Sequence, residues 1–402
     1  MTPRRLSAAL FLLALPLHAG TPDATAPPAE PKKDEPWIKP LVDVRARYEF
    51  ADVQGLDASH AFTTRERIGL VTADWYGFSA LAEGEFTQAI VRDFTNGVPD
   101  ADPITPHNTN ISAPETNELN QAYLQFAALD SQVRFGRQRL IYDNMAFVGN
   151  NGWRQNEQTY DGISLSSHFI KDLTVNYAYI DRVNRIYGSE ATGTNRSVTG
   201  DIHLINLSYA GIKGLTLGSY AYLMDFDKLT GWDNDTYGLS AKGSVAGFLL
   251  YGEAAFQTKA GAANDHDAWY YHAHATRKFG DQALIVGVEH LDAGFQTPLA
   301  TLHGFNGFAD VFNTARAGGT LPGLTDVYVS YTVPVFYGIS WANIAHAMGD
   351  DDISTSLGWE FDSTLTKKFD DHFTAIVQAS HFETESKFPT TTRVTAELNY
   401  KF

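Results

Sequence analysis

Apolar and polar residues alternate along most of this chain with a period of two. The run at the end is the clearest. Val394, Ala396, Leu398, Tyr400 and Phe402 fall on one side of an extended chain, and Arg393, Thr395, Glu397, Asn399 and Lys401 fall on the other. A strand sends successive side chains to opposite faces, so this segment has one apolar face and one charged face. The same pattern sets Leu173, Val175, Tyr177 and Tyr179 against Thr174, Asn176 and Ala178. Read throughout, it predicts eighteen strands, at 38–50, 61–75, 77–90, 117–127, 131–139, 158–167, 172–182, 200–210, 214–226, 233–243, 247–259, 267–278, 282–292, 325–333, 336–347, 353–367, 372–384 and 390–402.

The connections separate a barrel from a sandwich. Those after odd-numbered strands include long segments, 91–116, 140–157, 183–199 and 293–324, whereas those after even-numbered strands are short, as at Tyr76 or Pro334–Val335. Long loops at one end and tight turns at the other define an up-and-down transmembrane antiparallel β-barrel, with the long loops extracellular and both termini periplasmic. A barrel of eighteen strands is too wide for wall side chains to fill, so water, an infolded loop or both must occupy it. Phe295, Phe305, Phe308 and Phe312 make the 293–324 loop apolar enough either to fold into the pore or to pack over its mouth. The 91–116 loop, with Pro99, Pro103, Pro106 and Pro114, reads as a lid or a mobile segment.

The N-terminal end agrees with export. Arg4 and Arg5 precede an apolar run from Leu6 to Leu17, followed by Ala19 and Gly20. That order is a signal peptide over 1–20, too short to span a bilayer as a helix. A Pro-rich stretch at 21–36 reads as a periplasmic leader, and 37–402 as the barrel. The aromatic Tyr400 and Phe402 on a strand that ends the chain look like the C-terminal assembly signal of bacterial outer-membrane barrels. The barrel-assembly machinery, outer-membrane lipid and lipopolysaccharide are the partners this implies.

Composition narrows the function. There is no Cys, which removes thiolate metal sites and Cys nucleophiles. Aromatic residues are 13% of the chain, yet mean hydropathy is −0.23, as suits aromatic girdles around a wet interior. Net charge is −17, and losing Arg4 and Arg5 with the signal leaves 28 Lys and Arg against 47 Asp and Glu, a net −19. A surface this acidic disfavours nucleic acid. No zincin, nucleophile-elbow, P-loop or dinucleotide motif is present, so the chain reads as a non-enzyme without cofactor or metal. The acids at Asp225, Asp227, Asp233 and Asp235, at Asp265 and Asp267, and at Asp350 to Asp352 read as solvated loop charge, with calcium the sharper alternative. His272 and His274 share a polar face and give either a pH-dependent lumen charge or a plain wetted wall.

Val133 to Asp161 carries a resemblance. Its G-R-Q-R (Gly136–Arg139) and G-W-R-Q-N-E-Q-T-Y-D (Gly152–Asp161), with F-T-T-R-E-R-I-G-L at Phe62–Leu70, are similar to segments of alginate-export-type outer-membrane channels. The resemblance implies a monomeric eighteen-stranded barrel. It also implies passage of an anionic polysaccharide or smaller anionic sugars through an electropositive constriction. The residues offer candidates. Arg45 and Arg47 share a face of the first strand, Arg65 and Arg67 a face of the second, and Arg137 and Arg139 a face where the fifth strand leaves the membrane; Arg154 follows in the next loop. An arginine facing lipid at mid-depth costs about 2–4 kcal/mol, so these belong in the lumen or near the rim. Guanidinium stays charged and grips carboxylate bidentately. Asp43, Glu49, Glu66, Glu83 and Glu85 on the same strands leave open a balanced network in place of a basic constriction. A passive channel for anionic saccharides and a general diffusion porin are the two transport readings; a barrel enzyme or adhesin is the third.

Overall fold

The computed structural model describes residues 36–402. The expected signal peptide and all of the leader except Pro36 lie outside the described residues. Eighteen strands follow: β1 (Ile38–Val53), β2 (Ser59–Thr72), β3 (Phe78–Asp93), β4 (Thr116–Ala128), β5 (Ser131–Gln138), β6 (Thr159–Ser167), β7 (Leu173–Asn184), β8 (Ser197–Ile212), β9 (Leu215–Phe226), β10 (Asn234–Val245), β11 (Phe248–Ala260), β12 (His266–Phe279), β13 (Gln282–Leu291), β14 (Leu324–Pro334), β15 (Ile339–Gly349), β16 (Ser356–Lys368), β17 (Phe373–Thr384) and β18 (Thr391–Lys401). Each pairs antiparallel with the next, and β1 pairs with β18 from Asp43↔Lys401 to Val53↔Thr391, which closes the barrel and leaves no free edge. Phe402 completes the seam: its N–H donates to the Val42 carbonyl at 2.8 Å, and the Val42 N–H donates back at 3.1 Å.

The two faces follow from the alternation. Ile68, Leu70, Val286, Val288, Val327, Val329, Trp341 and Leu365 are exposed on the outside, as a lipid-facing belt requires. Trp75, Phe169, Phe279, Phe336, Phe369 and Phe402 ring the short-turn end, where amphipathic rings sit at the membrane interface.

The interior is more filled than a water-holding lumen. Segment 139–158, between β5 and β6, and segment 292–323, between β13 and β14, both fold inward. The first inserts Phe147 among Tyr220 at 5.2 Å, Tyr270 at 5.1 Å and Phe295 of the second at 6.0 Å. The inner faces of β6 to β13 are apolar there, with Ile180, Ile202, Leu204 and Tyr222 buried against the loops. The apolar 292–323 loop thus lies inside the barrel. The 94–115 segment instead covers the mouth above β1 and β2, where Phe94, Ile111 and Ala113 pack on Ala51, Ala61 and Ala89.

Candidate solute path through the barrel

The wall of β18, β1, β2 and β3 carries the charged rows. Residues directly opposite in register point to the same face, so Arg45↔Arg65, Asp43↔Arg67 and Arg67↔Glu85 all project inward. Two arginines facing each other repel, and the wall answers with acids. Arg65 bonds Asp43, and Arg67 bonds Glu85. Arg47 holds Glu397 of β18 at 2.6 Å, and Arg45 takes Asn399 at 2.9 Å. A bulge at Glu83/Gly84 turns both Asn120 and Gln121 of β4 inward, and both donate to Glu83 Oε1, at 2.8 and 3.0 Å.

The 139–158 loop crosses to this wall. Arg45 Nη1 donates to the carbonyls of Gly152, Trp153 and Arg154 at 3.2, 2.9 and 3.1 Å. The Trp153 indole donates to Gln378 of β17 at 3.1 Å, and Gln155 donates to the Thr63 hydroxyl of β2 at 2.7 Å. Glu157 receives both Arg139 and Arg67. Burial pushes its carboxyl up, but the two guanidiniums outweigh burial and hold it well below the usual range. The loop tip therefore lies on the arginines and covers them: Arg65 is 1% exposed.

The two infolded loops latch to each other. Trp153 stacks on His303 at 3.6 Å, with Arg47 over its ring at 4.4 Å. Arg154 meets Asp310 at 2.8 Å, and His303 Nδ1 meets the same carboxylate at 2.9 Å. Burial raises the Asp310 carboxyl, but His303 and Arg154 outweigh it and depress it. Further round the wall, β13, β14 and β16 present Glu289, Asp326, Glu360 and Asp362; Arg316 meets Glu289, and His346 meets Asp326 and Asp362. The Ala309 and Phe308 N–H groups of the second loop donate to Glu360 at 2.7 Å and to Asp362 at 3.2 Å. Gly307 (φ +92°) makes that docking possible, because a Cβ there would sit 2.2 Å from the Glu360 carboxyl carbon.

Charge on the first wall is balanced. Over its ion pairs, Arg45, Arg47, Arg65, Arg67, Arg139, Arg154 and Arg393 meet Asp43, Glu49, Glu83, Glu85, Glu157, Asp310 and Glu397, seven against seven. Pairing leaves some donors idle: Arg65 Nε and Nη1 and Arg67 Nη2 are buried without an acceptor among the described residues.

The structure brings six of the seven predicted arginines together and separates one. Arg137 does not share the lumen with Arg139. It lies two residues from the outward Phe135 and bonds Asp161 at 2.7 Å and the Leu119 carbonyl at 3.0 Å on the outer face near the extracellular rim. Arg139 reaches inward because it lies just past the end of β5. Glu66 is the other correction. It alternates with Arg65 and Arg67, so it points outward beside Val44 and Phe86 and neutralises neither. His272 and His274 do face inward, with His272 on Tyr328 at 2.9 Å. The alternation does not mark Trp153, Glu157, His303 or Asp310, and it shows Arg393 and Glu397 only as part of the polar face of the last strand. Trp153 and Glu157 stand in the quoted Gly152–Asp161 motif, which proves to be the docking tip.

A closed eighteen-stranded antiparallel barrel with an apolar exterior and charged interior is a transmembrane barrel of the bacterial outer membrane. No protein-family model and no curated protein sequence matches the chain. Solved structures do. Acinetobacter baumannii OccAB4 superposes with a TM-score of 0.70 at 13% identity, covering 92% of this chain and 99% of its own. OccAB3 of the same organism gives 0.69 at 12%, covering 91% and 99%. Pseudomonas aeruginosa OpdK, solved with vanillate, gives 0.68 at 12%, covering 91% and 98%. The likeness is one of fold. It agrees with the eighteen-stranded frame that the alginate-export resemblance implies, without singling out that family.

Proposed function

We propose that the protein is a passive, substrate-selective channel for small carboxylated solutes. The observation that carries this reading is the set of idle guanidinium N–H groups on Arg65 and Arg67 beneath the 139–158 loop tip. A buried donor without an acceptor costs about 1–3 kcal/mol, more when charged. A solute carboxylate offers the missing acceptor in the geometry a guanidinium prefers. The loop tip occupies the same wall through its own carbonyls and Glu157 carboxylate, so an arriving carboxylate exchanges one acceptor set for another. That keeps binding weak enough for release, as conduction requires. OpdK, a structural neighbour, was solved with vanillate, a small aromatic carboxylate.

The geometry weighs against the polymer reading. A strand of anionic polysaccharide needs a wide basic passage, whereas two loops cross this bore and the wall is charge-balanced. The general diffusion porin is the competitor. Uptake into proteoliposomes separates them: small carboxylates should enter several-fold faster than uncharged solutes of equal size. Arg65→Ala with Arg67→Ala should remove the difference. Equal rates for charged and uncharged solutes in the unmodified protein would leave a general porin, and preferential passage of oligouronates would restore the alginate-type reading.

A further inference from the structure

At the extracellular end of β13, three side chains from separate segments converge on one point. His290 is the penultimate residue of β13, Asp292 opens the lumen-filling loop, and Asp351 lies in the 350–355 turn between β15 and β16. His290 Nε2 is 3.0 Å from Asp292 Oδ1 and 3.5 Å from Asp351 Oδ1, and all three donor atoms lie within 4.8 Å of one another. The other ring nitrogen, Nδ1, is 2.8 Å from Thr325 Oγ1 of β14. With Nδ1–H donating to that hydroxyl, Nε2 presents a lone pair towards two carboxylates. In that tautomer three acceptors face one another, and a cation between them would satisfy all three; in the other, Nε2–H donates to Asp292. A protein-bound imidazole held at its far nitrogen by an oxygen acceptor is also how metal-ligating histidines are oriented.

The backbone is shaped to bring the third group in. Gly323 takes φ +92°, and a Cβ there would lie 2.4 Å from the Asp351 Cβ, so only glycine lets the turn approach this closely. None of these residues takes part in the solute path, and all three remain open to solvent, with side chains 21%, 30% and 46% exposed, so an ion has a way in.

We propose that His290, Asp292 and Asp351 form a binding site for a divalent transition-metal ion of the zinc type. One imidazole and two carboxylates match the donor preferences of Zn²⁺, for which N and O ligands stand at about 2.0–2.2 Å and adjacent donors therefore about 3 Å apart. Calcium and magnesium seek an all-oxygen shell and are disfavoured by the imidazole. Bound metal would clip the root of the lumen-filling loop to the β15–β16 turn, on the outer side of the barrel. The competing occupant of the central point is a proton on His290, which needs no metal.

Isothermal titration of the detergent-solubilised full barrel with ZnCl₂ at neutral pH decides between them. One site per barrel is expected, with little or no heat from CaCl₂ or MgCl₂. His290→Ala and, separately, Asp351→Asn should each weaken Zn²⁺ at least about ten-fold, the lower end of what loss of ligand support costs. Unchanged β-sheet circular dichroism would show that the barrels are folded, and Asp352→Asn, next in sequence but outside the triad, should bind as the unmodified protein does. Absence of Zn²⁺ binding by the unmodified protein, or binding by both triad variants as tight as its own, would overturn the proposal and leave an ordinary imidazolium–carboxylate cluster.

Discussion

Arg65 is the most deeply covered of the arginines on β1 and β2, 1% exposed. Among the described residues its neighbours leave two of its nitrogens, Nε and Nη1, without acceptors, although the strand holds it inward with Arg45 directly opposite. Lysine at this position keeps the charge and loses the fork. Arg65→Lys should therefore fold normally but weaken reversible block by a small carboxylate about ten- to a hundred-fold. That is the loss expected when hydrogen bonds to a charged group, about 1.5–3 kcal/mol, are removed. Block unchanged in the lysine variant would mean that Arg65 only holds the wall. Alternation made the inward direction of Arg45, Arg47, Arg65 and Arg67 legible from sequence. The same alternation points Glu66 away from Arg65 and Arg67, since neighbours on an unbulged stretch of strand take opposite faces. Arg137 parts from Arg139 for a related reason: Gln138 lies inward, and Arg139 stands beyond the end of β5, where strand periodicity no longer decides direction.

At the scale of elements, the two infolded loops act as one latch through Arg154, Asp310 and His303. Removing one partner of a buried ion pair costs about 3–5 kcal/mol, enough to shift a loop equilibrium strongly. Asp310→Asn should raise the fraction of time the channel spends in larger-conductance states. The carboxyl of Asp310 is depressed in the folded protein, so its stabilising contribution is complete above the unfolded value of about 3.9 and is lost only as pH falls through the lower folded value. The difference between Asp310→Asn and the unmodified channel should therefore be the same at pH 7 and pH 5. A difference that vanished by pH 5 would show that Asp310 is not held ionised by this latch. Strand ends were predictable to within three residues because each strand carries its own periodic signal. The loops carry none. Phe295, Phe305, Phe308 and Phe312 marked one of them as apolar, yet its landing on Glu360 and Asp362 depends on partners far away in sequence.

At the scale of the whole molecule, closure of β1 on β18 puts Arg45 and Arg47 beside Glu397, and Arg393 beside Glu49. Those pairs join the two ends of the chain, so no local pattern announces them. They are why a wall that looks basic in its first third is balanced once assembled. In the proposed channel, selectivity comes from which donors remain idle, and net charge of the chain has little bearing on it. Single-channel recording in a planar bilayer under a KCl gradient, with vanillate and then an oligouronate added, tests this most directly. Small-conductance events with loop-derived fluctuations are expected, with reversible block by vanillate and loss of that block in Arg65→Ala with Arg67→Ala. A large, steady conductance indifferent to vanillate would contradict this.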